Sequence, residues 1–392
     1  MAPELLPPDR QPVIIAARRT PVCRTNGAMR KLRAHELLAP VLRELAAGPG
    51  MEPGAVTDVI IGNAVGGGGN VARLALLEAG LPVSVPGLTV DRQCGSGLDA
   101  IVLASGLVAA GGNPLFLAGG VESTSTAPVR AYRNDDGVPE FYRRAQFVPA
   151  VFGDPDMGVA AETVAQKFGV ARDRQDTFAL RSHERALAAA QAGHFDDELV
   201  PLAVGNGTVA VDDGPRRGLT AAVMARFPAA FVDGGTVTAG NSCFDADAAS
   251  AVVITSLKRA RELEVQDGLL VLGTGTAGVE PEVLGIGAAT AARDVLAAAG
   301  VTPDGLDLVE FNEAFASQTL ACLDELCIDT GRVNLDGGAL ALGHAYGASG
   351  AVLVTRLLAQ ARRKGTPGGL ALAMISIAGG MGTAALRQYE RF

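Results

Sequence analysis

Tryptophan is absent from this chain, and only 4% of its residues are aromatic. Its core must therefore be built from Ala, Val, Leu, Ile and Gly. Cations are in the minority, with 33 Lys and Arg against 42 Asp and Glu and a formal net charge of -9. This balance argues against a nucleic-acid partner, which calls for a basic surface. It leaves room for an anionic ligand on a local patch such as Arg130, Arg133, Arg143 and Arg144, although such a patch is more often a solvated face. The five cysteines are an odd set with no regular spacing and no CxxC pair. They suggest no disulfide framework and fit a reducing, cytoplasmic compartment. Residues 1–10 lack the apolar core of a leader peptide. Two uncharged stretches, 100–121 and 365–386, are long enough for a membrane span. Glycine clusters interrupt both and strand-like runs flank them. They read as buried core, and no membrane partner is expected.

What is present is length, aliphatic residues and glycine. The 392 residues suffice for two or three domain-sized units, 48% are hydrophobic, and 50 are glycine. So many glycines imply tight turns and close helix–strand packing. Strand-like and helix-like segments alternate through the first part: strand 13–17, helix 34–47, strand 56–62, a Gly-rich loop at 66–69, helix 72–79 and strand 87–90. A helix at 98–110 and a strand at 115–118 follow. Such alternation predicts a mainly parallel sheet with helical crossovers. From 123 to 233 charge rises and Pro and Asp interrupt, with a long exposed or half-exposed helix over 172–193. This segment reads as an insertion, and strand 251–256 resumes the core pattern.

The C-terminal part repeats the first. Residues 306–312 parallel 56–63. The run 333–335, a Gly-rich turn, helix 347–361 and strand 370–375 parallel the unit at 94–118. Such duplication takes precedence over other fold readings, although its period exceeds the solenoid range. Both core helices are apolar on nearly every side, so each belongs between layers. The expectation is two similar α/β halves with their central helices packed together and a sheet on each face.

Cys94 opens one of those helices, in Gln93-Cys94-Gly95-Ser96-Gly97. A thiol at a strand-to-helix turn lies at the positive end of a helix dipole, where thiolate is favoured. Buried cysteines are mostly inert small hydrophobes, so Cys94 alone decides little. Three further motifs stand at strand–loop junctions, where open α/β folds place reactive groups. They are Asn312-Glu313-Ala314-Phe315, Gly343-His344-Ala345-Tyr346-Gly347 and Ser376-Ile377-Ala378-Gly379-Gly380. His344 is one of only four histidines and occupies the repeat position equivalent to Cys94.

These residues carry a resemblance to the thiolase family of acyl-CoA acetyltransferases, from Val13 nearly to the end. Further matches are Gly119-Gly120-Val121-Glu122-Ser123, Met157-Gly158, residues 236–241, Gly337-Gly338-Ala339 and Leu342-Gly343-His344. The resemblance implies a duplicated five-layer α-β-α-β-α fold with an inserted loop domain. Residues 1–122 with 234–258 would form the N-terminal half, 123–233 a loop domain covering the coenzyme A site, and 259–392 the C-terminal half. It also implies a homodimer or homotetramer, with acyl-CoA as substrate and no metal or redox cofactor. Cys94 would attack a thioester and carry the acyl group. His344 would take the thiol proton and serve the thioester oxygen, with Asn312 helping to build that oxyanion site. The backbone N–H groups of Cys94 and Gly380 would stabilise the tetrahedral intermediate. Met157, Ser242, Cys243, Phe244 and Phe315 are the expected substrate contacts.

The match fails at one decisive place. The family's second cysteine, which moves the α-proton in carbon–carbon chemistry, is Ser376 here. A hydroxyl is a poor general base near neutral pH. The family's Gly-His-Pro is Gly-His-Ala, and its Asn-Ala-Ser-Gly segment is Asn241-Ser242-Cys243-Phe244, followed by acidic Asp245. Phe244 is expected to reshape the acyl tunnel. Three functions remain open: a carbon–carbon bond-forming or -cleaving thiolase with Ser376 or Cys243 as base; an acyltransferase or thioesterase-like enzyme passing the Cys94-bound acyl group to another acceptor; and a non-catalytic or partner-dependent acyl-CoA-binding subunit.

Overall fold

The computed structural model describes residues 5–48 and 50–392; residues 1–4, part of the stretch read above as lacking a leader, lie outside the described residues. The principal strands are β1 (Pro12–Arg19), β2 (Asp58–Gly62), β3 (Gly87–Val90), β4 (Leu115–Glu122), β5 (Ala246–Ser256), β6 (Asp267–Gly278), β7 (Leu308–Phe311), β8 (Leu370–Ile377) and β9 (Met381–Arg391). Their order in space is β7-β8-β9-β6-β1-β5-β4-β2-β3.

The duplication is visible in the pairing. In the first half β3, β2 and β4 run parallel, β4 pairs antiparallel with β5, and β5 with β1. In the second half β7 and β8 run parallel, β8 pairs antiparallel with β9, and β9 with β6. Val333 supplies a one-residue parallel bridge to Val309, in the place that β3 takes beside β2. The two halves join through a short antiparallel contact, Val13 to Leu270 and Ile14 to Leu269.

Helices α1 (Ala34–Ala46) and α2 (Val71–Glu78) cover the outer face of the first half. The stripe Leu38, Val41, Leu42 and Leu45 recurs at helical spacing and buries α1 against β-strand residues Val59, Ile61 and Val253. Helices α6 (Gly287–Ala299) and α7 (Ala316–Leu326) cover the second half through Ala292, Val295, Leu320 and Leu323. Between the sheets lie α3 (Ser96–Ala109) and α8 (Tyr346–Lys364), sharing one apolar cluster with inward residues of both sheets. This is the expected five-layer arrangement, but the sheet is not mainly parallel as expected, because the long strands β1, β4, β5, β6, β8 and β9 pair antiparallel. One detail departs from the all-apolar expectation. Arg356 of α8 is buried, at 2.6 Å from Glu198 and 3.0 Å from Asp336.

Glycine makes the central layer possible. A Cβ on Gly120 or Gly97 would collide with the carbonyl oxygen of Gly347. Glu122, at the end of β4, then clamps α8 from below. Its carboxylate accepts from the N–H groups of Gly347 (3.0 Å), Ala64 (3.0 Å) and Val65 (3.2 Å), and from Asn63 Nδ2 (2.7 Å). Residues between β4 and β5 stand outside both sheets. They carry an exposed hairpin (Ala131–Arg133 with Pro139–Phe141), helix α4 (Met157–Lys167) and helix α5 (Arg172–Gln191). Helix α5 is more engaged than expected, burying Gln175, Phe178, Ser182 and His183.

Gly120→Ala should destabilise the protein by about 2 kcal/mol or more, since a close-packed interior does not absorb an added methyl group. Gly106→Ala, on an exposed turn of α3 with open space around its Cβ, should stabilise by about 0.5–1 kcal/mol. Denaturant unfolding of both variants measures this. Equal midpoints would contradict it.

Candidate active site

Cys94 lies in a short turn, Gln93–Gly95, that feeds directly into α3. The turn is locked by Arg92 N–H donating to Ser96 Oγ (2.8 Å) and by Ser96 Oγ donating to the Gln93 carbonyl (2.6 Å). The residue is half-buried, but its sulfur faces inward. Burial pushes the thiol up to about 12, and the charges of Glu122 and Asp245 push the same way. The N–H groups of Ala378 and of Cys94 itself face the sulfur and offset only part of this. Cys94 therefore rests as a thiol. The helix-terminus argument for a resting thiolate is overruled by desolvation.

The amide that reaches the sulfur from the β8–β9 turn is that of Ala378, where the sequence reading had named Gly380. Ala378 directly follows Ile377, whose side chain packs against Gly95 beside the thiol. Gly380 closes the turn with φ +85°, and its carbonyl accepts from Val279 N–H at 2.7 Å.

His344 precedes α8 and is buried. Burial draws its imidazole down to about 4, so the ring is neutral at physiological pH. Nδ1 lies 2.7 Å from Ser349 Oγ, while Nε2 makes no hydrogen bond within the described residues. A hydroxyl can donate or accept, so Ser349 supports either tautomer. Asn312 follows β7, and its Nδ2 is likewise buried and unpartnered among the described residues. One extended segment stitches these loops together. Cys243 N–H donates to the Ala314 carbonyl (3.0 Å), His344 N–H to the Phe244 carbonyl (2.9 Å), and Ala246 N–H to the His344 carbonyl (3.2 Å). Ser242 bridges Phe315, and Asp245 bridges His344.

Two family models cover almost the whole chain: the thiolase N-terminal domain over residues 12–258 and the thiolase C-terminal domain over residues 269–389. The chain belongs to the thiolase family. It is 41% identical over 376 residues to "Putative acetyl-CoA C-acetyltransferase YhfS" of Bacillus subtilis (strain 168), covering 95% of this chain and 98% of that protein. VraB of Staphylococcus epidermidis, which carries the same activity name, is 40% identical over 387 residues, covering 98% and 99%. The fold superimposes on the Bacillus anthracis acetyl-CoA acetyltransferase with a TM-score of 0.89, 34% identity and coverage of 97% and 99%. Against human mitochondrial 3-ketoacyl-CoA thiolase the TM-score is 0.90, with 32% identity and coverage of 97% and 98%. The protein is accordingly an acyltransferase of the thiolase type.

Within this thiolase scaffold, Ser376 is fully engaged. Its hydroxyl donates to the Gly285 carbonyl (2.6 Å) and accepts from Gln318 Nε2 (3.1 Å) and Ala288 N–H (3.2 Å). It points into the layer of α6 and α7, on the same strand face as Leu372 and Met374, whereas Ile375 and Ile377 face the central layer. Ser242, Cys243 and Phe244 line a cavity of about 230 Å³, together with Phe231, His183 and Arg216. Phe244 packs its ring against Gly343 and lies 5.2 Å from the Arg24 guanidinium. Met157 does not line this cavity. Its neighbour Gly158 abuts Phe231, which meets Phe315 edge-on at 6.0 Å. Of the arginines at 130, 133, 143 and 144, Arg130 donates to the Gly66 carbonyl and Arg144 is paired with Asp154 and Asp156.

Sequence reading missed Ala378, Ser349, Gln318 and Tyr346. Ala378 occupies the glycine position of the family's Cys-x-Gly loop, a signal that would have found it. Tyr346 stood inside the quoted Gly343–Gly347 motif, but nothing in that motif pairs it with Asp245.

Titration of the imidazole resonances by NMR is expected to show His344 neutral down to about pH 5, because its charged form is disfavoured by burial. A midpoint near the ordinary value of 6.5 would contradict the buried geometry.

Proposed function

We propose that this protein is an acyl-CoA C-acyltransferase that carries the acyl group on Cys94 and makes or breaks a 3-ketoacyl-CoA. The observation behind this reading is a buried thiol faced by two backbone N–H groups, with two buried side-chain nitrogens, unpartnered among the described residues, on the loops stitched together by residues 243–246. Ala378 and Cys94 present N–H groups to the sulfur, while His344 Nε2 and Asn312 Nδ2 are buried without partners. A buried unpartnered donor costs about 1–3 kcal/mol. Preorganised donors of this kind are the usual means of stabilising charge that develops only during reaction.

The sulfur attacks the thioester carbonyl as neutral His344 takes the thiol proton. Charge on the carbonyl oxygen is met by backbone N–H groups, and coenzyme A leaves with the proton from His344. Nothing in the sequence calls for a metal or redox cofactor, since transfer between thioester and thiol is redox-neutral. The cavity beside Cys243 would take the pantetheine arm, with Arg216 suited to an anionic group. Residues 123–233 would form the lobe covering that entrance. The free cysteines among the described residues support a reducing, cytoplasmic setting.

A second reading has one observation in its favour. Ser376 has both its proton and its lone pairs committed, so it does not stand in for the family's second thiol. Without another base, the acyl group would pass to an amine, alcohol or water instead of a carbon acceptor.

Intact-mass spectrometry after mixing with acetyl-CoA should show a one-acetyl adduct on wild type and none on Cys94→Ala. An adduct of full stoichiometry on the variant would exclude Cys94. No adduct on either protein would favour an acyl-CoA-binding subunit.

A homo-oligomer is also proposed. Strand β3 ends the sheet with an unpaired edge, and exposed Leu74, Leu77, Leu88, Leu103 and Leu107 lie on β3 and its flanking helices. An apolar edge of this kind invites pairing with a second copy. Leu88→Asp with Leu103→Asp should shift the mass in light scattering to that of a monomer. An unchanged mass would place the interface elsewhere.

A further inference from the structure

We infer that Asp245 is the general base of the second half-reaction, held in place by Tyr346, and that this pair takes over the task the family gives to its second cysteine. The inference rests on the acyl-enzyme reading above and extends it to the carbon acceptor.

Three placements support it. The Tyr346 phenol donates to Asp245 Oδ1 at 2.5 Å, across 101 residues of sequence. Asp245 bridges the backbone of His344, and the Tyr346 ring meets the His344 ring edge-on at 5.2 Å. The Asp245 carboxylate is exposed, whereas Cys94 and Cys243 are half-buried and His344 is buried. Its charge acts on both thiols and on the phenol, raising all three together with burial. Tyr346 pays a backbone cost to be there, with φ +25° at the first residue of α8. Non-glycine residues hold such angles only where the surroundings enforce them, and they cluster at functional sites.

The competing bases are less suited. Ser376 is spent on Gly285, Ala288 and Gln318. Cys243 has its thiol pushed well above its ordinary range, first by burial and then by Asp245 and Cys94. Tyr346 is pushed up in the same way and stays protonated, which suits a positioning donor and not a base. A carboxylate beside neutral oxyanion donors is a competent base for a proton alpha to a carbonyl.

The step balances. The α C–H bond of a second acyl-CoA breaks, its proton goes to Asp245 Oδ2, and its electron pair enters an enolate met by the Asn312 Nδ2–H. The enolate carbon bonds to the acyl carbon on Cys94, and the C–S bond breaks. The proton held by Asp245 returns to the Cys94 sulfur.

The test uses the full-length protein with acetyl-CoA in D2O. Mass spectrometry reads the Cys94 adduct, deuterium entering the acetyl-CoA methyl group, and acetoacetyl-CoA. In Asp245→Asn the adduct should form within about threefold of the wild-type rate, while exchange and condensation fall by about 10²-fold or more. Tyr346→Phe should keep the adduct and slow exchange by about tenfold in kcat with KM for acetyl-CoA unchanged, a split that loss of packing alone would not produce. Asp245→Asn with exchange within a few-fold of wild type overturns the assignment. So does exchange that survives Asp245→Asn but is lost in Cys243→Ser or Ser376→Ala. An Asp245→Asn protein that loses adduct and exchange equally places Asp245 in Cys94 activation and also overturns it. A wild-type adduct with no exchange refutes this inference alone. No wild-type adduct refutes the acyl-enzyme reading, and this inference with it.

Discussion

The contact on which this structure depends is backbone against backbone. The Gly347 carbonyl occupies the space that a side chain on Gly97 or Gly120 would need, and Glu122 holds the Gly347 N–H from the other side. Two buried helices from two halves of the chain thereby meet at their N-terminal ends. Cys94 stands just before one helix and His344 just before the other. The reactive pair is therefore a by-product of how the duplicated halves pack. A side chain at any of these glycines would separate the helices and, with them, the thiol and the imidazole.

The same packing sets the chemistry. Desolvation acts on Cys94 and His344 in opposite electrical senses and leaves both neutral, the thiol raised to about 12 and the imidazole lowered to about 4. A neutral pair avoids burying two charges. The buried His344 Nε2 and Asn312 Nδ2 have no partner among the described residues and face no charge there.

Ser376 is bound into the structure around it. Ser376 ties β8 to Gly285 and Gln318, and Cys322 shares the Gly285 carbonyl at 3.2 Å. Asp245 and Tyr346 instead stand beside His344.

The amino-acid order by itself determined the duplication, the two buried helices and the strand–loop junctions carrying Cys94, Asn312 and His344. These features are local: apolar periodicity, glycine placement and short motifs are written in consecutive residues. It also located the departure at Ser376. Tertiary structure alone decided the ionisation of Cys94, because burial by both sheets outweighs a helix terminus. It decided that Ala378 and not Gly380 faces the sulfur, which depends on where the β8–β9 turn lies against Gly95. It decided that the Ser376 hydroxyl is occupied, since Gly285, Ala288 and Gln318 are 58 to 91 positions away in sequence. And it joined Asp245 to Tyr346, a pairing no periodicity encodes, because hydrogen bonds and desolvation depend on neighbours in space that only the completed packing brings together.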